Sequence, residues 1–289
     1  MEVSSLITMY KREKSSSERL NFERLYESAA DFCNPASDNI QKKRSKGQRD
    51  DVQRITDVGI KARRMFTAGM MSHLFPQGQN WIRVVTQNRD LQQNDNVTRA
   101  LSSVTKKFVR AIEDSNFYEE MSQCIDHCGY IGTTSLYCEP TNKRILNFRS
   151  HYINQFYFCE NYLGEVDTVI REFKLTARQA LQQFGEDCPE NISEYASDPK
   201  TSTKEFTFIH IVMPRNKFVP DSPEKAEKPI ASYYISLEGS KLVLESGFDE
   251  MPYSVGRFYK TNYEKYGRSP ALEVFSTLPL INRMEVSRI

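Results

Sequence analysis

The sequence predicts an α+β fold, with a helical first half, an antiparallel β-rich second half and a closing helix. Two observations predict this fold class. Up to residue 131 the apolar residues recur every three or four positions, whereas from residue 132 they tend towards alternation. Helical and strand-like segments also stay segregated along the chain, without the β-α-β alternation that builds a parallel sheet.

Four predicted helices make up the first half. Their apolar stripes lie in residues 20–32, 52–74, 97–112 and 117–128. Asp50 and Asp51 favour the start of the second helix, because negative charge interacts favourably with a helix N-terminus. Pro76 ends that helix, and a short strand is predicted over residues 81–85. Residues 34–49 bury almost nothing and are predicted to form a linker or an adaptable loop.

The second half is predicted to contain two hairpins, a short helix and four further strands. The hairpins pair residues 133–138 with 143–148 and residues 152–158 with 166–173. The further strands cover residues 206–213, 230–237, 241–245 and 254–259. Thr176 and Gln179 form a capping box, and Gly185 stands where a C-cap glycine belongs, so the short helix is expected near residues 176–184.

A helix is predicted to close the chain. Ser269 is a suitable N-cap and Pro270 a suitable first helical residue. Pro279 lacks the amide hydrogen that a helix interior needs, so it must kink this helix or split it in two. We therefore expect one α+β domain over residues 1–268, mainly helical to residue 131 and mainly β from residue 132, followed by the closing segment 269–289.

The charge balance argues against a dedicated nucleic-acid-binding domain. The 289 residues include 39 basic and 38 acidic side chains, for a net charge of +1, whereas such domains usually carry a basic excess. No apolar run approaches the roughly 18 residues of a membrane span, and the N-terminus lacks a signal-peptide pattern, so we expect no membrane partner. Six cysteines without a CxxC pair are expected to be reduced cytosolic thiols.

No pattern in the sequence predicts an enzyme, a cofactor or a metal site. Cys124, His127 and Cys128 lie within one helical turn, but zinc usually takes four ligands from two separated pairs, and no second pair stands at a usual spacing. We expect these side chains to be core residues. The sequence also lacks a GxSxG nucleophile elbow, a P-loop and a dinucleotide-binding glycine motif.

One basic cluster comprises Lys42, Lys43, Arg44, Lys46 and Arg49. Such a run of positive charges is typical of a solvated, mobile loop. It could also contact DNA phosphates or an acidic partner, in interactions that salt would weaken. No aromatic residues alternate with the basic ones, which argues against stacking on single-stranded nucleic acid.

Four further stretches follow one another along the chain. They are RRMFTAGMMSHLFPQGQNWIRV (residues 63–84), GYIGTTSLY (129–137), VIREFKLTARQALQQFG (169–185) and YEKYGRSPALEVFSTLPLINRM (263–284). The last combines a Gly-Arg-Ser-Pro loop with a helix that contains Leu-Pro and an Asn-Arg-Met turn. In this order and at these separations, they resemble the head-to-tail connecting proteins, or portals, of short-tailed, T7-like bacteriophages. The resemblance extends from about residue 20 to the end of the chain.

The resemblance implies a structural protein of the virion, not an enzyme. Portals are ring-shaped homo-oligomers, commonly dodecamers, that sit at one capsid vertex after assembly in the cytoplasm of the bacterial host. Their expected partners are the large terminase, the capsid or scaffold proteins and the tail adaptor proteins. Double-stranded DNA passes through the ring during packaging and ejection without tight binding. The near-neutral charge of this chain suits such a conduit.

For this chain the resemblance implies a wing-type body over residues 1–268 and the start of a channel-lining stem from Ser269. The residues then expected to contact neighbouring subunits are Leu272, Phe275, Leu278 and Ile281. Because family members continue well beyond this region, we expect the chain to be an N-terminal fragment, or the product of a shortened gene such as a decaying prophage carries. The alternative is a cytosolic α+β protein-interaction module without catalytic activity.

Overall fold

The computed structural model describes residues 2–35, 40–41, 56–141, 144–220 and 222–287. Within these residues the helices are α1 (Val3–Lys14), α2 (Ser17–Cys33), α3 (Val58–Leu74), α4 (Arg89–Gln92), α5 (Asp95–Glu113), α6 (Phe117–Tyr130), α7 (Ala177–Phe184), α8 (Glu190–Ser197), α9 (Pro270–Glu273) and α10 (Thr277–Val286). The strands are β1 (Thr133–Glu139), β2 (Asn147–His151), β3 (Phe156–Glu160), β4 (Val166–Thr176), β5 (Glu205–Pro214), β6 (Ile230–Ser236), β7 (Lys241–Phe248) and β8 (Tyr253–Arg257). Helices precede antiparallel strands and a helix follows them, so the predicted α+β fold is confirmed.

The strands form two antiparallel sheets. The smaller sheet has the order β2-β1-β8, and the larger has the order β3-β4-β5-β6-β7. In the smaller sheet, Ser135 of β1 pairs with His151 on one side and with Val255 on the other. The central strand of that sheet is therefore held by its hairpin partner and by a strand from much later in the chain.

The larger sheet has apolar side chains on both faces. Val169 and Ile170 are neighbours on β4 and are both fully buried, but they belong to different core clusters, because successive strand residues point to opposite faces. The Ile170 cluster is covered by α1, through side chains that include Leu6. A third cluster is covered by α7 and α8, which contribute Phe184 and Ile192.

Most of the predicted elements are confirmed. Helices α2, α5 and α6 follow the predicted apolar stripes, strands β3 to β8 lie where strands are predicted, and α7 has the capping box of Thr176 and Gln179. Gly185 follows α7 with a φ of 55°. The closing helix is split into α9 and α10, and Pro279 lies in the first turn of α10, where the missing amide hydrogen costs no helical hydrogen bond.

Three predicted elements differ in the structure. Residues 81–85 are not a strand: the amide of Val84 donates to Thr105 Oγ1 of α5 at 3.0 Å, and the segment pairs with no strand in the described ranges. Strand β2 begins at Asn147, whereas the prediction began it at residue 143, which lies outside the described residues. Helix α3 begins at Val58, since residues 56–57 are not helical, while Asp50 and Asp51 lie outside the described residues.

Three described helices were not predicted from the sequence, and one of them is the four-residue α4. Helix α1 buries Leu6, Ile7 and Tyr10 beside exposed basic residues, and this short stripe is too narrow to stand out from its polar surroundings. Helix α8 lies in an acidic segment for which no element was predicted, and Ile192 is its one fully buried apolar residue. Among the described helices, none combines the length and the apolar character that a membrane span requires.

Candidate functional site

Two glycine-containing turns are packed directly against each other. Gly132, between α6 and β1, has a φ of +92°, and a Cβ there would lie 2.4 Å from the carbonyl carbon of Arg268. A Cβ on Gly267 would lie 2.3 Å from the carbonyl oxygen of Gly132. Both positions therefore require glycine, the first for conformation as well as for space. The contact joins the 129–137 stretch to the 263–284 stretch, and we call it the junction.

Hydrogen bonds of side-chain hydroxyl groups connect helix α2 and the start of α9 to the junction. Tyr26 donates to the carbonyl oxygen of Gly267 at 2.5 Å, and the amide of Gly267 donates to Thr133 Oγ1 at 2.8 Å. Ser269 donates to the carbonyl oxygen of Tyr130 at 2.9 Å and accepts from the amide of Leu272 at the start of α9. Burial raises the pKa of Tyr26, so its phenol remains a hydrogen-bond donor.

A fully buried arginine extends the junction to the larger sheet. Arg19 of α2 donates to the carbonyl oxygens of Phe156 at 3.1 Å and Ile153 at 2.5 Å. Its guanidinium also pairs with Glu23 at 2.6 Å and lies 5.4 Å from the ring centroid of Tyr266. One side chain thus connects α2, the start of β3 and the loop before α9, which sets the position from which the closing segment leaves the sheets.

Helix α3 packs against α6, close to the turn between α6 and β1. Arg63 pairs with Asp126 at 3.0 Å, and Thr67 donates to the other oxygen of that carboxylate at 3.0 Å. The ring of Phe66 lies against Gly129, where a Cβ would come within 2.9 Å of a ring carbon. Three of the four stretches that carry the family resemblance therefore converge on the turn between α6 and β1. The fourth forms β4 and α7, in the larger sheet.

Comparison with known proteins agrees with this convergence. The family model described as bacteriophage head to tail connecting protein matches residues 7–288, which include all three converging stretches. The chain belongs to that family. It is 26% identical over 258 residues to the portal protein of Salmonella phage epsilon15, an alignment that covers 87% of this chain and 46% of the relative. It is 24% identical over 232 residues to the probable portal protein of Bordetella phage BPP-1, covering 80% of this chain and 42% of the relative.

The chain thus spans a little under half the length of each of these two portal relatives. The match to the family nevertheless includes every described helix from α2 onward and every described strand. The predicted recognition of a head-to-tail connecting protein is confirmed at the level of the family.

Only one of the two predicted sets of site residues lies within the described ranges. The basic cluster of Lys42, Lys43, Arg44, Lys46 and Arg49 lies outside the described residues. Of the predicted stem contacts, Leu278 is buried inside this chain and Leu272 packs against the same core, while Phe275 and Ile281 are half-buried. The exposed apolar side chains of this segment are instead Val274, Leu280, Met284 and Val286.

A second exposed apolar surface lies on α5. Thr105, Val109 and Ile112 are its buried residues, whereas Val104 and Phe108, roughly 90° around the helix, are 50% and 40% exposed. Helix α5 therefore has more apolar surface than the rest of the chain covers. Met65 of α3 is 75% exposed and adds a third apolar side chain on the helical part of the surface.

Of the cysteine and histidine side chains of α6, Cys124 is buried, whereas His127 and Cys128 are half-buried. Cys124 donates to Ser150 Oγ at 3.3 Å, and burial raises the pKa of the Cys128 thiol to about 12. Burial lowers the pKa of His127 to about 4, and its ring packs 5.0 Å from that of Tyr152. In the part of the chain that the structure describes, no three His, Cys, Asp or Glu side chains are grouped to hold a metal ion.

Sequence reasoning did not find the residues that build the junction. In the sequence, Gly132 is only part of the 129–137 stretch and Ser269 is only an N-cap, and nothing indicates that the two would meet. Arg19 gave no signal, because an arginine on an amphipathic helix is usually solvated. Its two backbone carbonyl partners lie more than 130 positions away along the chain.

Proposed function

We propose that this chain forms the wing-like body of a bacteriophage portal, the head-to-tail connector at a capsid vertex. The family match over residues 7–288 carries this proposal, and the names of the two relatives support it. On this proposal residues 1–268 are the wing and residues 269–289 begin the stem, which leaves the sheets at the junction. The protein would assemble in the bacterial cytoplasm and reside in the virion.

The proposed role is structural and involves no catalysis. Burial raises the pKa values of Cys33 to about 11 and of Cys128 to about 12, so these thiols stay protonated and are poor nucleophiles. His151 and His210 are buried and His127 is half-buried, and their pKa values are lowered to about 2, 3 and 4. Such groups are suited to packing the interior and are poorly placed to exchange protons with a substrate.

The proposed assembly is a ring of identical subunits. A ring needs two different surfaces on each subunit, because every copy contacts one neighbour on each side. The exposed apolar side chains of α5 (Val104 and Phe108) and of α10 (Leu280 and Met284) supply two such surfaces on separate helices. Leu272, Phe275, Leu278 and Ile281 contribute to the stem in this proposal by anchoring α9 and α10 to the wing.

Double-stranded DNA is proposed to pass through the ring without tight binding. The net charge of +1 supports this role, since strong phosphate binding would slow DNA that must move through a channel. The cluster at residues 42–49 remains a prediction as a DNA or partner contact. The large terminase, the capsid or scaffold proteins and the tail adaptors are the partners that a portal at this position would need.

Electron microscopy of the protein expressed from its natural coding sequence tests the proposal. We expect ring-shaped particles of uniform diameter with a central channel. Particles that remain single subunits at every concentration examined, and that also fail to join rings of a co-expressed portal relative, would overturn it. That result would favour the alternative of an α+β protein-interaction module.

A further inference from the structure

The two sheets meet across a layer of histidine and tyrosine side chains. His151 of β2 and His210 of β5 are each 1% exposed and lie among Tyr137, Tyr234 and Tyr253. The rings of Tyr137 and Tyr253 are 4.5 Å apart between centroids, and His210 stacks on Tyr234 at 4.0 Å. We call this layer of five side chains the inter-sheet box.

The two histidines of the box differ in their hydrogen bonds. His210 has a partner at each ring nitrogen, Tyr253 Oη at 2.9 Å and Ser232 Oγ at 2.9 Å. His151 is equally buried, yet neither of its ring nitrogens has a partner among the described residues. A neutral imidazole always carries one N–H donor and one acceptor, and leaving a buried donor unpaired destabilises the folded state.

A guanidinium borders the box without a counter-ion. Arg171 of β4 pairs across the strands with His210, and its Nε is buried without a hydrogen-bond partner. No carboxylate in the described ranges lies within ion-pair distance of it. The face of the Phe173 ring, 4.6 Å away, offers it some stabilisation but no negative charge.

The other charged groups around the box leave it electropositive. Arg149 of β2 adds a second cation that acts on both Arg171 and His151. Glu139 is the carboxylate at the edge of the box, and it already accepts the hydroxyl hydrogen of Tyr137 at 2.7 Å. Arg149 is exposed and Arg171 partly exposed, whereas the Nε of Arg171 and the ring nitrogens of His151 are buried without partners. Unpaired buried donors beside an uncompensated guanidinium are the conditions under which a protein binds an anion.

We propose that the inter-sheet box binds a small anion of the halide type, held between Arg171 and His151. The Nε–H of Arg171 and one N–H of His151 would donate to it, which satisfies both orphaned groups at once. The close ring contacts of the box favour a single-atom anion over a polyatomic one. Because Arg171 belongs to the larger sheet and His151 to the smaller, the anion would hold the two sheets together.

Solvent reaches the edge of the box. A cavity of about 500 Å³ adjoins it and is lined by Glu139, Ser232 and Tyr234. Arg171 is partly exposed, although its Nε is buried. The box is therefore close to solvent at Tyr234 and at Arg171.

Thermal unfolding of the full chain in chloride tests the proposal, with gluconate replacing chloride at constant ionic strength. We expect chloride to raise the Tm saturably, by about 2–6 °C. Arg171→Gln should abolish this rise, whereas Arg149→Gln, which removes an exposed cation and leaves the Nε of Arg171 in place, should keep it. An equal Tm in both salts, or an equal chloride response in Arg171→Gln, would overturn the proposal.

Anomalous diffraction from crystals grown with bromide is a second test, and it requires only the wild-type protein. The expected result is an anomalous peak in contact with Arg171 Nε and His151. A water molecule at that position, with no anomalous signal, would overturn the proposal even if chloride stabilised the protein. The outcome is independent of the proposed ring, since the box lies inside a single chain.

Discussion

Helix α2, which packs against the junction, and helix α5 both carry a regular apolar stripe, but the two stripes have opposite environments. At the junction, Tyr26 and Tyr130 are buried by contacts from three separate parts of the chain. On α5, Val104 and Phe108 belong to an equally regular apolar stripe, yet about half of each side chain is exposed. A stripe thus identifies an amphipathic helix but leaves open what covers it. The covered stripe supports the fold of one chain, and the uncovered one is suited to contact another.

Acid should affect the buried interior far more than the exposed surface. Burial lowers the pKa values of His127, His151 and His210, to about 4, 2 and 3. The unfolded chain binds these protons from about pH 6.5 downwards, whereas the folded chain does not. The free energy of unfolding should therefore be constant above about pH 7 and fall below pH 6.5, by about 1.4 kcal/mol per pH unit for each histidine until its folded pKa is reached.

Urea unfolding between pH 4.5 and 8 measures this dependence. His73→Gln, at an exposed position of α3, is the matched control variant. His210→Gln should reduce the slope by about one third of the histidine contribution, whatever its effect on stability at pH 8. A slope that is the same in all three proteins would contradict the assignment of the buried histidines as neutral.

Removing the buried arginine should weaken the junction by the next largest amount. Arg19→Met deletes the donors to Phe156 and Ile153 and leaves Glu23 without its partner. We expect a loss of about 3–5 kcal/mol in the free energy of unfolding, because the half-buried Glu23 carboxylate and two carbonyl groups lose their partners. Arg24→Met, at an exposed position of the same helix, should change stability by less than about 0.5 kcal/mol. Equal effects would show that Arg19 is not part of the junction.

Adding one methyl group at the junction should cost somewhat less. Gly267→Ala places a Cβ 2.3 Å from the carbonyl oxygen of Gly132, where only backbone movement can relieve the clash. The expected loss is about 3 kcal/mol. Gly69→Ala on α3, where no atom lies within 4 Å of the new Cβ, should instead stabilise the protein by about 0.5–1 kcal/mol. Chemical denaturation measures the free energy of unfolding of both variants. A change in the same direction in both would contradict the close packing of Gly267 against Gly132.

The fold was largely predictable because most of its elements are determined by residues that lie close together in the sequence. Thr176, Gln179 and Gly185 define α7 through contacts within a few residues, and Pro279 splits the closing helix by its own chemistry. The predicted strand at residues 81–85 failed for the opposite reason. Its β-branched residues favour extended backbone, but Thr105 of α5 takes the Val84 amide that a neighbouring strand would need.

The site was much less predictable, because it depends on contacts between distant residues. Gly132 and Gly267 are separated by 135 positions, and only their packing explains why neither tolerates a side chain. Leu278 lies at the helical spacing of an interface residue, yet it faces its own core, while Leu280 and Met284 are exposed. Spacing along one helix cannot distinguish these two outcomes, since both faces of α10 carry apolar residues.

The central claim is that the uncovered apolar face of α5 contacts a second copy of the protein. Phe108→Glu changes an exposed residue of that face, and Ser103→Glu makes the same change on the other side of the helix. Both variants should unfold within about 0.5 kcal/mol of the wild type, because neither position is buried. Mass photometry of the natural gene product should find rings in the wild type and in Ser103→Glu, and smaller species in Phe108→Glu. Rings of equal abundance in Phe108→Glu would contradict the claim.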